Sequence, residues 1–188
     1  MRKFRLFRKA YTAIVRHNIS VLNSSGYLDN MKKKATLSAP PDWRNDTVLP
    51  LHADVLADAW AVDAACSGNP GPMEYQGIDL QTGAQVFHYG PVHGTNNIGE
   101  FLAIVHALAL MEQKGIRKTL YTDSATALAW IRKRHCKTTL QRSASTEKLY
   151  QLILRAETWL RIHTVTTPII HWDTKKWGEI PADFGRKG

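Results

Sequence analysis

The spacing of hydrophobic and polar positions changes near residue 95 and divides the chain into two kinds of secondary structure. Short apolar stretches bounded by turn residues come first, which is typical of β-strands. Gly-Asn-Pro-Gly-Pro at 68–72 and Gln-Thr-Gly at 81–83 are strong turn signals between these stretches. The pattern predicts three strands that pair as an antiparallel meander, at residues 59–66, 73–80 and 84–92.

Beyond residue 95, apolar residues recur every three or four positions, as on the buried face of an α-helix. Phe101, Ile104, Val105 and Leu108 mark the first helix. Gly115 is its predicted end and Asn97 its predicted N-cap. We predict further helices at 124–134 and 146–163, strands at 120–123 and 168–172, and a short last helix opened by Pro181. This order predicts an α/β fold: a mixed five-stranded sheet with helices on both faces.

Charge is distributed unevenly along the 188 residues. The chain has 25 Lys and Arg against 16 Asp and Glu, a net charge of +9. Residues 1–34 contain nine of the basic residues and one acid, so they account for +8 of that charge. We therefore divide the chain into a basic N-terminal arm (1–34), a linker that packs on the domain (35–58) and a nearly neutral globular domain (59–188). A basic segment of this kind favours polyanionic partners.

The N-terminal arm admits several interpretations. Phe4, Phe7, Tyr11 and Ile14 have helical spacing, with basic residues on the other faces, which predicts a short basic amphipathic helix. Such a helix binds nucleic-acid phosphates or an anionic membrane, or serves as a targeting presequence. A disordered tail fits the composition too. Translation from Met31 would make residues 1–30 an over-extended reading frame. The sequence leaves these alternatives open.

The cysteine content and the hydropathy of the chain bear on its environment. Two cysteines, Cys66 and Cys136, are too few for a disulfide framework or a four-thiolate zinc site, which favours a reducing compartment. No apolar run approaches the roughly 18 residues of a membrane span. We expect a cytoplasmic protein without a membrane span, and a monomer.

Four acidic residues have both a structural and a chemical interpretation. Asp63 lies in an apolar strand, where a charge is costly unless it is paired or binds a cation. Glu100 follows Asn97 by three residues, which is the spacing of a capping box in the first turn of the helix. Asp123 precedes a helix and suits an N-cap. Asp183 follows Pro181 by two residues, and the first turn of a helix favours an acid.

The chemical interpretation comes from the joint placement of these four acids. If the strand of Asp63 neighbours the strand that ends at Asp123, both carboxylates meet beside the helices of Glu100 and Asp183. Four carboxylates without balancing bases stay ionised only when cations are present. Mg²⁺ prefers carboxylate oxygen and water. Two such ions roughly 4 Å apart activate a water and stabilise the leaving oxygen in a phosphodiester displacement.

Four segments carry a family resemblance. They are Val-Asp-Ala-Ala-Cys-Ser-Gly-Asn-Pro-Gly at 62–71, Thr-Asn-Asn-Ile-Gly-Glu at 95–100, Tyr-Thr-Asp-Ser at 121–124 and Ile-Pro-Ala-Asp at 180–183. In this order, and from about residue 59 to the end, they resemble type 1 ribonuclease H. The resemblance implies the ribonuclease H fold and endonucleolytic hydrolysis of the RNA strand of RNA–DNA hybrids, with 3′-hydroxyl and 5′-phosphate products.

The same resemblance implies a cofactor and a set of ligands. The family uses two Mg²⁺ ions, for which Mn²⁺ can substitute. By motif matching, the catalytic residues, which are also the metal ligands, are Asp63, Glu100, Asp123 and Asp183.

Substrate-binding residues are implied in the same way. The resemblance places Cys66, Asn69, Asn96 and Asn97 along the minor groove of the hybrid, with Asn97 on RNA 2′-hydroxyls. An amide suits that role because it both donates and accepts hydrogen bonds, and the 2′-hydroxyl distinguishes RNA from DNA.

The basic run at 132–137, which includes Lys133 and Arg134, is expected to hold the DNA strand through its phosphates. Purely structural roles stay open for these residues. They are a cap for Asn97, a turn for Asn69 and a solvated helix end for the basic run.

The chain departs from the family pattern in three places. Ala64 follows the first aspartate where glycine is usual, residues 172–179 lack the family's loop histidine, and the chain ends five residues after Asp183. The last helix is therefore expected to be short. Two alternatives to a hybrid nuclease are an integrase- or transposase-like DNA phosphoryl transferase of the same fold and a non-catalytic nucleic-acid-binding module. The four acids disfavour the second, because acids that face phosphate do not help a binding surface.

Overall fold

One five-stranded sheet forms the centre of the molecule, in a computed structural model that describes residues 49–185. The strands are β1 (Ala59–Cys66), β2 (Gly71–Asp79), β3 (Gln85–Gly94), β4 (Thr119–Thr122) and β5 (Ile169–His171). Their order in the sheet is β3-β2-β1-β4-β5. The pairs β1–β2 and β2–β3 are antiparallel, whereas β1–β4 and β4–β5 are parallel. The predicted antiparallel meander and mixed sheet are confirmed.

The helices are α1 (Asn96–Lys114), α2 (Ala125–Lys133), α3 (Glu147–Ile162) and α4 (Thr174–Trp177). The first three are the long helices that the sequence predicts. At Gly115 the backbone φ is 67°, a left-handed conformation that glycine adopts without strain, and α1 ends there as expected. The side chain of Ser124 caps α2 by accepting a hydrogen bond from the Ala127 amide at 3.1 Å.

The two faces of the sheet are covered differently. Helices α1, α2 and α3 pack on one face, where the larger apolar core lies, with buried side chains that include Val62, Met73, Phe101, Leu120, Trp130 and Leu149. The opposite face has a smaller cluster around Tyr121, Trp172, Ile180 and Ala182. Leu49, Leu51 and Trp177 pack against this smaller cluster. The chain segments before β1 and after β5 therefore cover the face that the long helices leave open.

The start of α1 differs from the prediction. Its N-cap is Thr95, so Asn97 lies inside the first turn and the predicted capping box does not form. The reason is tertiary: the Asn69 side chain, from the β1–β2 turn, accepts the hydrogen bond of the Asn96 amide at 3.1 Å. This first helical amide is satisfied from another loop, and the helix begins two residues earlier than expected. Glu100 consequently lies in the second turn rather than the first.

The predicted helix at Pro181 is wrong within the described residues. Residues 181–182 form a turn and 183–185 are irregular, whereas α4 comes earlier, at Thr174. The Asp173 carboxylate starts α4 by accepting from the Lys175 and Lys176 amides at 3.1 and 3.3 Å. Ile180 and Ala182 are fully buried against the sheet, and this packing holds the chain out of a helical path.

Two further features bear on the predictions. The N-terminal arm and the first part of the linker lie outside the described residues. Within residues 49–185, the helices are all too short or too polar to cross a bilayer.

Candidate active site

Two carboxylates meet where the parallel strands β1 and β4 run side by side. In the β1–β4 ladder the last paired positions are Ala61 and Tyr121. Asp63 and Asp123 each lie two residues further along, so they stand level with one another at the same end of the sheet. Asp63 is only 7% exposed, whereas Asp123 is half-buried. The strand neighbourhood on which the metal-site prediction depends is therefore present.

The third carboxylate reaches this point because α1 lies very close to the sheet. A Cβ at Gly99 would lie 2.7 Å from the Ala64 Cβ and 2.7 Å from the Met73 Sδ, which is shorter than real contacts allow. Only glycine permits this approach of helix and strand. Glu100 is the next residue, and the approach sets its carboxylate beside those of the strands.

The Glu100 carboxylate is held on both sides. Its Oε1 accepts a hydrogen bond from the Asn96 Nδ2 at 2.9 Å, one turn earlier in α1. Its Oε2 accepts one from the Ser124 hydroxyl, the N-cap of α2. These partners fix the orientation of the carboxylate, as outer hydrogen bonds do for metal ligands.

The three carboxylates form a cluster with the character of a cation site. Asp63, Glu100 and Asp123 each offer an oxygen atom, and these atoms all lie within 4.8 Å of one another. Burial, together with the charge of Asp123, raises the pKa of Asp63 to about 8. Burial also raises the pKa values of Glu100 and Asp123. A hard divalent cation relieves this repulsion, and an all-oxygen donor set suits Mg²⁺ or Mn²⁺.

Asp183 lies at the margin of this cluster. Its negative charge contributes to the raised pKa values of both Asp63 and Asp123, which places it near them. It is not one of the three residues whose oxygens lie within 4.8 Å of one another. One of its own oxygens, Oδ2, accepts a hydrogen bond from the Gly185 amide at 2.9 Å. The structure therefore brings three of the four predicted acids together and sets the fourth beside them.

The predicted minor-groove residues gather around the first turn of α1. Asn69 and Asn96 are bonded to each other, and the Cys66 thiol contacts the Gly94 carbonyl oxygen at 3.5 Å. The Asn97 side chain is exposed, and with Asn69 it lines an open cleft of about 520 Å³. The structure thus gathers these residues around the start of α1, and Asn96 is the one that contacts an acid of the cluster, Glu100.

Sequence reasoning missed most of the other wall of that cleft. Lys137, from the predicted basic run, lines it together with Trp130. The lining residues that no motif indicated are Thr138, Thr139, Leu140, Gln141, Ser143, Ser145 and Thr146. The signal available in the sequence is the run of hydroxyl and amide side chains between α2 and α3. Such side chains, with a lysine, are typical contacts for phosphate oxygens.

The basic run after α2 is exposed, and a buried acid holds its end. Lys133 and Arg134 end the helix, and Arg134 has the left-handed φ of 53° that terminates it. Glu157 of α3, only 7% exposed, accepts hydrogen bonds from the His135 Nδ1 at 2.8 Å and the Cys136 amide at 2.9 Å. The basic run is therefore a fixed feature of the surface.

His171 was not among the predicted site residues, yet it contacts Asp123. It lies at the last position of β5, inside the predicted strand at 168–172. Its Nε2 donates to the Asp123 carbonyl oxygen at 3.0 Å, and its charge opposes the rise in the pKa of the Asp123 carboxyl. An imidazole side chain thus stands beside the acidic cluster, in a chain whose following loop has no histidine.

Comparison with known proteins assigns this constellation to a family. The family model described as RNase H matches residues 57–172, more than half of the chain. The chain belongs to the RNase H family. The matched range contains Asp63, Glu100 and Asp123 and ends before Asp183. The mixed five-stranded sheet is the ribonuclease H fold that the resemblance implies.

Individual relatives give the same family. A ribonuclease H of Neorickettsia sennetsu is 41% identical over 75 residues, which are 37% of this chain and 50% of that protein. A ribonuclease H of Thermosynechococcus vestitus is 30% identical over 118 residues, 58% of this chain and 70% of that protein. The chain thus spans half of the first relative's length.

The solved structures that match are less similar to this chain in sequence than these relatives are. An RNase H1 isolated from compost is 16% identical, with a TM-score of 0.43, and the match covers 63% of this chain and 87% of that one. RNase H1 from Halobacterium salinarum is 22% identical, with a TM-score of 0.39 over 63% of this chain and 86% of that one.

Proposed function

We propose that this protein is an endonuclease that hydrolyses the RNA strand of RNA–DNA hybrids and leaves 3′-hydroxyl and 5′-phosphate ends. The observation that carries the proposal is the convergence of Asp63, Glu100 and Asp123 within 4.8 Å, at motif positions of an RNase H family chain. A buried acidic cluster repels a phosphodiester unless cations neutralise it. The cluster is therefore suited to metal-assisted hydrolysis and unsuited to simple nucleic-acid binding.

The metal ligands in this proposal are Asp63, Glu100, Asp123 and Asp183, holding two Mg²⁺ ions, with Mn²⁺ as a substitute. When bound, such ions activate a water and stabilise the leaving oxygen of the phosphodiester. The residues of the chain hold the ligands in place. The Asn96 amide and the Ser124 hydroxyl orient Glu100, and the sheet fixes the spacing of Asp63 and Asp123.

Recognition of the hybrid is assigned to two surfaces. Asn69, Asn96, Asn97 and Cys66 lie on the minor-groove side, where Asn97 meets RNA 2′-hydroxyls. Its exposed amide at the cleft supports this role. Lys133 and Arg134 bind phosphates of the DNA strand, which adds affinity without sequence preference.

The environment and assembly of the protein complete the proposal. We place it in the cytoplasm, as a monomer. Cys66 and Cys136 are both free thiols, which supports a reducing compartment. Light scattering of the purified chain tests the assembly: the proposal gives one chain mass of 21.2 kDa, and twice that mass contradicts it.

Cleavage of four labelled substrates in Mg²⁺ tests the activity: an RNA–DNA hybrid, duplex DNA, duplex RNA and single-stranded RNA. We expect cleavage of the hybrid alone, within its RNA strand. The upstream fragment should be extendable by a polymerase, and the downstream fragment should be ligatable without phosphorylation. Cleavage or joining of duplex DNA would favour a DNA phosphoryl transferase. Binding to the hybrid without cleavage would favour a non-catalytic module.

A further inference from the structure

The fourth carboxylate is held differently from the other three. Asp63 and Asp123 lie on or directly after paired strands, and Glu100 lies in a long helix. Asp183 lies in the irregular stretch 183–185, outside the part of the chain that matches the family model. Its position must therefore come from contacts other than the regular backbone hydrogen bonds of a helix or a strand.

One polar side chain of the sheet holds the residue before Asp183. The Gln76 Nε2 donates a hydrogen bond of 2.7 Å to the carbonyl oxygen of Ala182, whose side chain is fully buried. The other end of the Gln76 amide accepts a hydrogen bond of 2.7 Å from the Gln85 Nε2. The end of the amide that faces Ala182 must be its NH₂ group, because a carbonyl oxygen can only accept.

Gln76 also stands directly across from Asp63. In the β1–β2 ladder the two residues are Cα partners, and opposed residues of an antiparallel pair project from the same face. Gln76 therefore links the strand position of the first acid to the segment of the fourth. Within that segment, the Asp183 amide donates to the Ile180 carbonyl oxygen at 2.8 Å, so a shift at Ala182 carries Asp183 with it.

We propose that Gln76 is a positioning residue for the divalent-cation site, which sets Asp183 at the distance from Asp63 that metal binding requires. This inference rests on the proposed function, because it takes Asp183 as a ligand. Without the amide donor, the part-buried Ala182 carbonyl oxygen loses its side-chain partner, and the segment shifts to find another. The ligands then have to be brought into place when the cation binds, and affinity falls.

The first test measures Mn²⁺ binding to the full chain by titration calorimetry, without nucleic acid. We expect Gln76→Met, which keeps the length and removes the donor, to weaken Mn²⁺ binding roughly tenfold, as outer-sphere changes at metal sites do. Gln85→Met is the matched control. It removes the other hydrogen bond of the same amide and leaves the bond to Ala182, so its Mn²⁺ affinity should equal that of the wild type.

A double-mutant cycle then asks whether Gln76 acts through Asp183. In an Asp183→Asn background, Gln76→Met should weaken Mn²⁺ binding no further, because the ligand that it positions is already gone. An equal tenfold loss in both backgrounds would overturn the proposal. So would unchanged affinity in Gln76→Met with the fold retained.

A second variant keeps the test decisive if Gln76→Met fails to fold. Gln76→Asn retains a neutral amide but is one methylene too short to reach the Ala182 carbonyl oxygen. We expect the same weakening of Mn²⁺ binding, and wild-type affinity in this variant would contradict the proposal. The binding readout is independent of cleavage, so a chain that binds Mn²⁺ but leaves the hybrid intact would refute the proposed function and still test Gln76.

Discussion

Asp63 illustrates how burial converts an ordinary carboxyl group into part of a cation site. Its pKa, raised to about 8 mainly by burial, lies far above the ordinary value of 3.8. Between these two values the folded chain holds a proton on Asp63 that the unfolded chain releases. The contribution of Asp63 to the free energy of unfolding is therefore most favourable below pH 3.8, and it is lost as the pH rises towards about 8. A bound cation replaces the proton.

The Asp63→Asn variant tests this electrostatic account. In metal-free solution with chelator, we expect it to be more stable than the wild type at pH 8.5, by about 1–3 kcal/mol in the free energy of unfolding. At pH 5 the difference should shrink, because Asp63 is then protonated in the folded wild type. Urea denaturation at the two pH values provides the measurement. A difference that does not change with pH would mean that Asp63 does not titrate in this range.

Gly99→Ala tests the close approach of α1 to the sheet. Alanine is usually the better residue inside a helix, by roughly 1 kcal/mol over glycine. Here the added Cβ would overlap Ala64 and Met73, so we expect a net loss of stability of about 1–3 kcal/mol. Thermal and urea unfolding measure the effect. A gain in stability would show that α1 can move away from the sheet at no cost.

At the scale of elements, the periodicity of apolar residues predicts the strands and long helices to within a few residues. What it misses has a tertiary cause in each instance. Asn69 supplies the hydrogen bond that starts α1 from a loop almost 30 residues away in the chain. The burial of Ile180 and Ala182 overrides the helix signal of Pro181. Local sequence does not contain these contacts, so neither the start of α1 nor the backbone path to Asp183 could be predicted from it.

The loop between α2 and α3 gives a prediction for an element. Glu157→Leu removes the acceptor of the buried Cys136 amide and of His135. We expect stability to fall by about 1–3 kcal/mol. Because the basic run would no longer be anchored, the KM for hybrid should rise while kcat changes little.

The control for this change is Glu147→Leu on the same helix, whose carboxylate is exposed and pairs with Arg142. It should leave both stability and KM near wild type. Equal effects of the two substitutions, measured by urea unfolding and steady-state cleavage, would argue against an anchoring role for Glu157.

The whole molecule combines an acidic centre with a basic excess that lies almost entirely in residues 1–34. The described domain is close to neutral, so the division of the sequence into arm and domain remains a functional hypothesis that the fold does not test.

Among the site residues, the acidic residues were the easier ones to predict from the sequence. Three acids converge because β1 and β4 are parallel neighbours, which the order of motifs already indicates. The place of Gln76 and His171 depends on strand register and on the irregular C-terminal path, and no motif contains either.

Removal of residues 1–30 tests the arm. We expect weaker binding to hybrid and a shallower dependence of affinity on salt, by roughly 0.9 in the log–log slope for each phosphate that the arm neutralises. The rate of cleavage at saturating substrate should stay near that of the full chain. A full-length control with its six basic residues between positions 2 and 16 changed to Gln separates charge from length. An unchanged salt slope in both would mean that the arm does not touch phosphate.

The central claim is that the buried acidic cluster performs metal-assisted hydrolysis of the RNA strand. The most direct measurement is the single-turnover rate of hybrid cleavage in Mg²⁺ for the wild type, Asp63→Asn and Asp58→Asn. Asp58 lies just before β1, at the opposite end from Asp63, and its side chain is exposed. We predict that the rate falls by more than about a hundredfold for Asp63→Asn and stays at the wild-type value for Asp58→Asn. Full activity of Asp63→Asn, or no cleavage by the wild type, would contradict the account.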